Sequence, residues 1–154
     1  MGFFDRLRRL IPGRVPSEPF ARGTHALDRG RFALAEAAFA QALAQAQQPA
    51  EVALVRNKLA ILALRRGDRE LAVATLIEAL EADPRSPAAI TTIGNLLLED
   101  GDAEEAVAHY EAALRIDEHY GPAHHNLGVA LHRAGKRGAA VRHLRKASRL
   151  EGRK

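Results

Sequence analysis

Residues 87–120 read PAAITTIGNLLLEDGDAEEAVAHYEAALRIDEHY, and residues 121–154 read GPAHHNLGVALHRAGKRGAAVRHLRKASRLEGRK. Laid one above the other without a gap, they pair Gly94 with Gly128, Gly101 with Gly135, Ala106 with Ala140, Val107 with Val141 and Ala113 with Ala147. Residues 53–86 carry the same columns as Gly67, Ala72, Val73 and Ala79, and Leu59, Ile93 and Leu127 follow the same step. A fixed 34-residue period marks a repeat architecture, in which each unit buries its apolar face by stacking on its neighbours.

Each column has a physical reason. Gly67, Gly101 and Gly135 lie between two helical patterns, where glycine can end the first helix in a left-handed conformation without steric cost. Asp68 and Asp102 follow and are placed to N-cap the second helix, and Asp102 with Glu105 has capping-box spacing. Ser86-Pro87 and Gly121-Pro122 open the next pair, with proline where its missing N–H costs nothing. Small residues at Ala60, Gly94 and Gly128, and at Ala72, Ala106 and Ala140, let the two helices of a pair approach closely. Leu59, Leu76, Ile93, Leu97, Leu127, Leu131 and Leu144 recur at helical spacing and are expected to fill the seam.

This pattern resembles the tetratricopeptide repeat. The resemblance is carried by Asn126-Leu127-Gly128 with Leu131, Gly135 and Ala140, and by Ile93-Gly94 with Leu97, Gly101, Ala106 and Tyr110; Pro84 stands where the family often closes a unit. It implies an all-α, right-handed superhelical solenoid of antiparallel helix pairs, about four repeats long. The units fall at about 53–86, 87–120 and 121–154, after a divergent one at about 16–49, so the repeat domain is expected over 16–154. In the divergent unit Gly30, Phe32, Ala35, Phe39 and Ala42 fit the turn and second helix, and Gly23 fits the first. Arg22, however, occupies the column of Leu59, Ile93 and Leu127, and Pro19 falls inside the expected first helix, so that helix is predicted to be divergent or shortened. About three extra residues near Gln47-Gln48-Pro49 lengthen the next connection. At the other end, Ser148 closes the column of Leu43, Leu80 and Leu114, and Arg142, Arg145, Lys146 and Arg149 make the last helix polar, which fits the polar end face of a solenoid; the alternative is that this face pairs with a partner or a second copy.

In the family the first helix of each pair lines a concave groove that holds an extended peptide or a partner helix. Carried over column by column, the resemblance implies a groove formed by Leu54, Asn57, Ile61, Leu64 and Arg65; by Thr91, Asn95, Leu98 and Glu99; and by His125, Asn126, Val129, His132 and Arg133. The divergent unit would add Phe20, Thr24, Leu27 and Asp28. The residue types agree in part: apolar side chains bury a partner's side chains while Asn amides bond its backbone. The other reading of the same leucines is core between adjacent units. Some relatives grip a C-terminal carboxylate with two Asn and several cations. Asn95 and Asn126 match those Asn columns, but Thr91 stands where a Lys is needed, and Phe20 or Asn57 fills that column in earlier registers. Carboxylate-clamp binding is therefore not expected.

Composition narrows the function classes. With 47% hydrophobic and 27% charged residues the chain suits a folded protein rather than a disordered one. Cysteine is absent, which excludes disulfides, thiolate metal sites and a Cys nucleophile. Only three serines occur, two beside proline, and no Ser–His–Asp arrangement is suggested. No His pair has helical ligand spacing with an acidic third group, so the expectation is no metal, no cofactor and no enzymatic activity. The net charge of +4 conceals segregation: residues 68–118 hold 13 acidic and 3 basic side chains, whereas residues 119–154 hold 9 basic and 1 acidic. The basic C-terminal helix lacks interleaved aromatics for base stacking, so nucleic-acid binding ranks behind steering of an acidic protein partner and self-association through opposite charges.

Residues 2–11 place Phe3, Phe4, Leu7, Leu10 and Ile11 on one helical face and Asp5, Arg6, Arg8 and Arg9 on the other; Pro12-Gly13 ends the helix, and Arg14 to Pro19 reads as a linker. The segment, 1–15 with its linker, fits either a cap on the solenoid or an interfacial helix on an anionic membrane. No apolar run reaches the roughly 20 residues that span a bilayer. The resulting expectation is a cytoplasmic adaptor or scaffold that binds a protein or peptide. The alternatives are a peripheral assembly factor at the inner membrane face, anchored by residues 2–11, and a nucleic-acid binder.

Overall fold

The computed structural model describes residues 18–152. Among them the chain forms eight α-helices and no strand: α1 (Glu18–Asp28), α2 (Phe32–Gln45), α3 (Pro49–Arg66), α4 (Arg69–Ala82), α5 (Pro87–Asp100), α6 (Ala103–Ile116), α7 (Gly121–Arg133) and α8 (Arg137–Glu151). The fold class is all-α, built from helical hairpins. Two compact units divide at Ala46–Gln47. The first holds the α1–α2 hairpin; the second holds the hairpins α3–α4, α5–α6 and α7–α8, in which α3 touches α5 and α5 touches α7.

All four hairpins turn in the same way. Gly30, Gly67, Gly101 and Gly135 have φ of +69°, +83°, +93° and +75°. After each of them the next residue donates its N–H back to the helix: Arg31 to the Ala26 carbonyl, Asp68 to Ala63, Asp102 to Leu97 and Lys136 to Leu131, at 2.8–2.9 Å. This six-to-one bond with a left-handed glycine satisfies carbonyls that a helix end otherwise leaves unpaired.

Helix starts agree with the sequence in part. The Leu71 N–H donates to Asp68 Oδ1 at 3.0 Å, and the Ala89 N–H donates to Ser86 Oγ at 3.4 Å. Asp102 makes no side-chain cap bond, contrary to its spacing with Glu105. Asp102, Glu104 and Glu105 crowd one turn, and pointing into water separates their charges. Instead, Glu51 accepts from the backbone N–H groups of Gln47 (2.9 Å) and Gln48 (3.1 Å). With Pro49 opening the helix, this start extends α3 to 18 residues, beginning four residues before the expected unit boundary. Pro19 does not interrupt α1: it is the second residue of the helix, where no intrahelical N–H is needed.

Packing within each hairpin follows one small-to-large rule. A Cβ built on Gly23 would lie 2.6 Å from the Phe39 ring, one on Gly94 2.6 Å from Tyr110, and one on Gly128 2.7 Å from Leu144. Ala60 and Leu76, at the same spacing, are both buried in one core cluster. The large partner always lies sixteen positions after the small one. Among the described residues Tyr110, Phe39, Leu76 and Leu127 are the largest fully buried side chains, each contributing about 1.5–3 kcal/mol by leaving water.

Candidate functional site

The candidate wall is formed by α3, α5 and α7 of the second unit, in consecutive contact. Along it Ile61, Leu64, Leu98 and Val129 are half-buried and Leu54 is exposed. Arg65, Glu99 and Arg133 end the three helices in exposed, alternating charges. Glu99 lies 3.7 Å from Arg69, whose guanidinium also bonds Asp100 at 2.5 Å. His125 and His132 are exposed on α7.

Two asparagines join the wall across helices. Asn95 Oδ1 accepts from the Tyr110 hydroxyl at 2.9 Å and from Asn126 Nδ2 at 2.7 Å. This relay ties α5 to α6 and to α7. It occupies the carbonyl oxygen of Asn95 and leaves its amide donors, and the Asn126 carbonyl oxygen, outside the relay. Burial pushes the Tyr110 hydroxyl up to about 12; Arg133 opposes the shift and Glu99 adds to it.

Other candidates lie deeper than their columns imply. Asn57 is 4% exposed and Thr91 3% exposed, and their Oδ1 and Oγ1 atoms are buried with no hydrogen-bond partner. In the first unit Phe20 packs against Phe39 with ring centroids 6.0 Å apart, and Leu27 is buried, so both belong to the hairpin core. Thr24 is half-buried and Asp28 exposed. Phe3, Phe4, Leu7, Leu10 and Ile11 lie outside the described residues.

Sequence reading missed a second constellation. His124, 4% exposed, places Nδ1 2.9 Å from His143 Nδ1 and Nε2 3.0 Å from the Glu118 carbonyl oxygen. The rings stack at 5.1 Å. Their nineteen-residue separation hides them from a search for i, i+3 or i, i+4 ligands, yet it is close to the sixteen-residue step across each hairpin. Among the described residues no group of three His, Cys, Asp or Glu could hold a metal ion, and no helix is long and apolar enough to cross a membrane.

A helical-hairpin repeat with an apolar first-helix wall defines the class of interaction scaffolds, whose stacked units present extended binding surfaces. Two family models, each described as tetratricopeptide repeat, match residues 20–87 and 86–150, and the chain belongs to that family. Among solved structures it is similar to TTC0263, a thermophilic tetratricopeptide-repeat protein of Thermus thermophilus, with a TM-score of 0.68 and 23% identity over 90% of this chain and 75% of that one. It is similar to pilF of Pseudomonas aeruginosa, with a TM-score of 0.65 and 24% identity over 86% of this chain and 59% of that one. A third, YrrB, described as having an unusual peptide-binding site, has a TM-score of 0.55 and 21% identity over 97% of this chain and 75% of that one. No curated protein sequence matches the chain.

Proposed function

We propose that the protein is a non-enzymatic adaptor that holds a peptide or helix of a partner protein against the α3–α5–α7 wall. The observation that carries this reading is the Asn95–Asn126 relay that joins α5 to α7, on helices that also carry the half-buried Leu98 and Val129. Apolar side chains there seat the partner's side chains, and the amide groups that lie outside the relay bond its main chain. The peptide-binding site described for YrrB supports the reading by analogy of fold. Arg142, Arg145 and Arg149, exposed on α8, attract an acidic partner and speed its arrival in low salt.

The test is selection from a random peptide-display library on the intact protein, followed by titration of the enriched peptides. Leu98→Arg is expected to weaken binding by at least about tenfold with unchanged helicity. Equal affinity for the variant would remove the wall from the function.

A further inference from the structure

Six large apolar side chains are exposed among the described residues: Leu34, Leu54, Leu71, Val73, Ile77 and Val141. Three of the six lie on α4, which concentrates exposed apolar surface on one helix. Val73 and Ile77, 41% and 53% exposed, are four residues apart and share a ridge with Ala74. Exposed Glu70 and Glu81 stand at the two ends of that ridge, three residues before Val73 and four after Ile77. Glu78, beside it, is paired with Arg56.

A complementary surface lies on the α1–α2 hairpin. There an open groove of about 390 Å³ is lined by Leu34, Ala37 and Ala38 together with Arg22, His25 and Arg31. Leu34 is 59% exposed in it. Arg22 stands in the column where α7 has the buried Leu127, and its guanidinium donates to Gln41 Oε1, another residue of the groove, at 2.6 Å.

We propose that this groove receives the α4 ridge of a second copy of the chain. Val73, Ala74 and Ile77 of one copy cover Leu34 and the alanines of the other, and Glu70 and Glu81 meet Arg22 and Arg31. Charge decides the occupant. The chain's own residues 1–14 carry Arg6, Arg8, Arg9 and Arg14 against a single Asp5 and would bring like charge to a cationic groove. The ridge brings carboxylates. Because ridge and groove are different surfaces, the contact is heterologous and propagates from copy to copy. A single helix on a single hairpin makes a small interface, so association is weak and sensitive to salt. The proposal uses none of the wall residues, and its failure leaves the adaptor reading untouched.

Sedimentation velocity of the full chain, up to about 1 mM, tests it. Sedimentation coefficients are expected to rise with concentration at about 50 mM salt and to fall back at about 500 mM, where charges are screened. Arg22→Glu with Arg31→Glu, and separately Glu70→Arg with Glu81→Arg, should each weaken self-association by about tenfold. Mixing the two charge-reversed proteins should restore association between them, with helicity unchanged throughout. A monomer at every concentration and salt would overturn the proposal. So would association indifferent to both variants, or association lost only on Phe3→Asp with Phe4→Asp.

Discussion

Gly94 and Tyr110 are in contact so close that no side chain fits between them: a Cβ on the glycine would stand 2.6 Å from Cε1 of the ring. The ring is fully buried, and its hydroxyl reaches Asn95, the residue after the glycine. One close approach thus sets both the α5–α6 seam and the orientation of an amide in the candidate wall.

Gly94→Ala therefore overpacks the seam and should cost about 1–3 kcal/mol by chemical denaturation. Gly101→Ala, strained by its φ of +93° with open space around it, should cost about 1–2 kcal/mol by a different route. The two are separable by near-ultraviolet circular dichroism, since the chain has no Trp and only two Tyr. The Gly94 variant should alter the Tyr110 signal, and the Gly101 variant should leave it in place.

Tyr110→Phe removes the hydroxyl and keeps the ring, and should cost about 1 kcal/mol from the lost bond to Asn95. Asn126→Ala should couple to it in a double-mutant cycle, because both donors share one carbonyl oxygen. Additive losses would mean that the relay does not operate as a unit. The raised pKa carries its own sign: the neutral phenol is favoured in the folded state. Its contribution is full below the unfolded value of about 10 and is lost as pH rises through about 12. Tyr110→Phe should reduce alkaline destabilisation over that window.

The His124–His143 pair predicts weakening at acid pH. The Glu118 carbonyl can only accept, so His124 carries a proton on Nε2, and a single proton serves the two facing Nδ1 atoms. Burial holds the His143 pKa below its ordinary value; His124, Arg142 and Lys146 lower it further, and Glu111 opposes them. A depressed histidine contributes stability that is full above the unfolded value of about 6.5 and is lost as pH falls through the lower folded value. Denaturation midpoints should drop on going from about pH 7.5 to below about 6, and His143→Phe should flatten that slope. An unchanged slope would mean that other groups set the acid response.

Thr91→Val should stabilise the protein by up to about 1 kcal/mol. The swap keeps the branched shape and deletes a hydroxyl that is buried without a partner. Calorimetry that finds a loss instead would show that the hydroxyl is engaged in the folded protein.

Much of this fold could be read from one strand of letters. Gly67, Gly101 and Gly135 recur at 34 residues, and each small-to-large pair spans 16, because each hairpin repeats the same local geometry. Gly67, Gly101 and Gly135 announce their turns without reference to anything distant.

The candidate site was legible as columns and not as surfaces. Helical period says that Leu54, Asn57, Ile61 and Leu64 lie near one another along α3. It does not say how far that helix is rolled against α5, and it is that roll which buries Asn57 and Thr91 and leaves Leu54 in water. The Tyr110–Asn95–Asn126 relay and the imidazole pair join residues 15 to 31 positions apart. Periodicity is a property of one element, whereas these contacts belong to the distances between elements. The sequence by itself therefore determined the repeat, its turns and its small-to-large seams; only tertiary packing decided which polar groups meet, which are buried, and which side chains remain to face a partner.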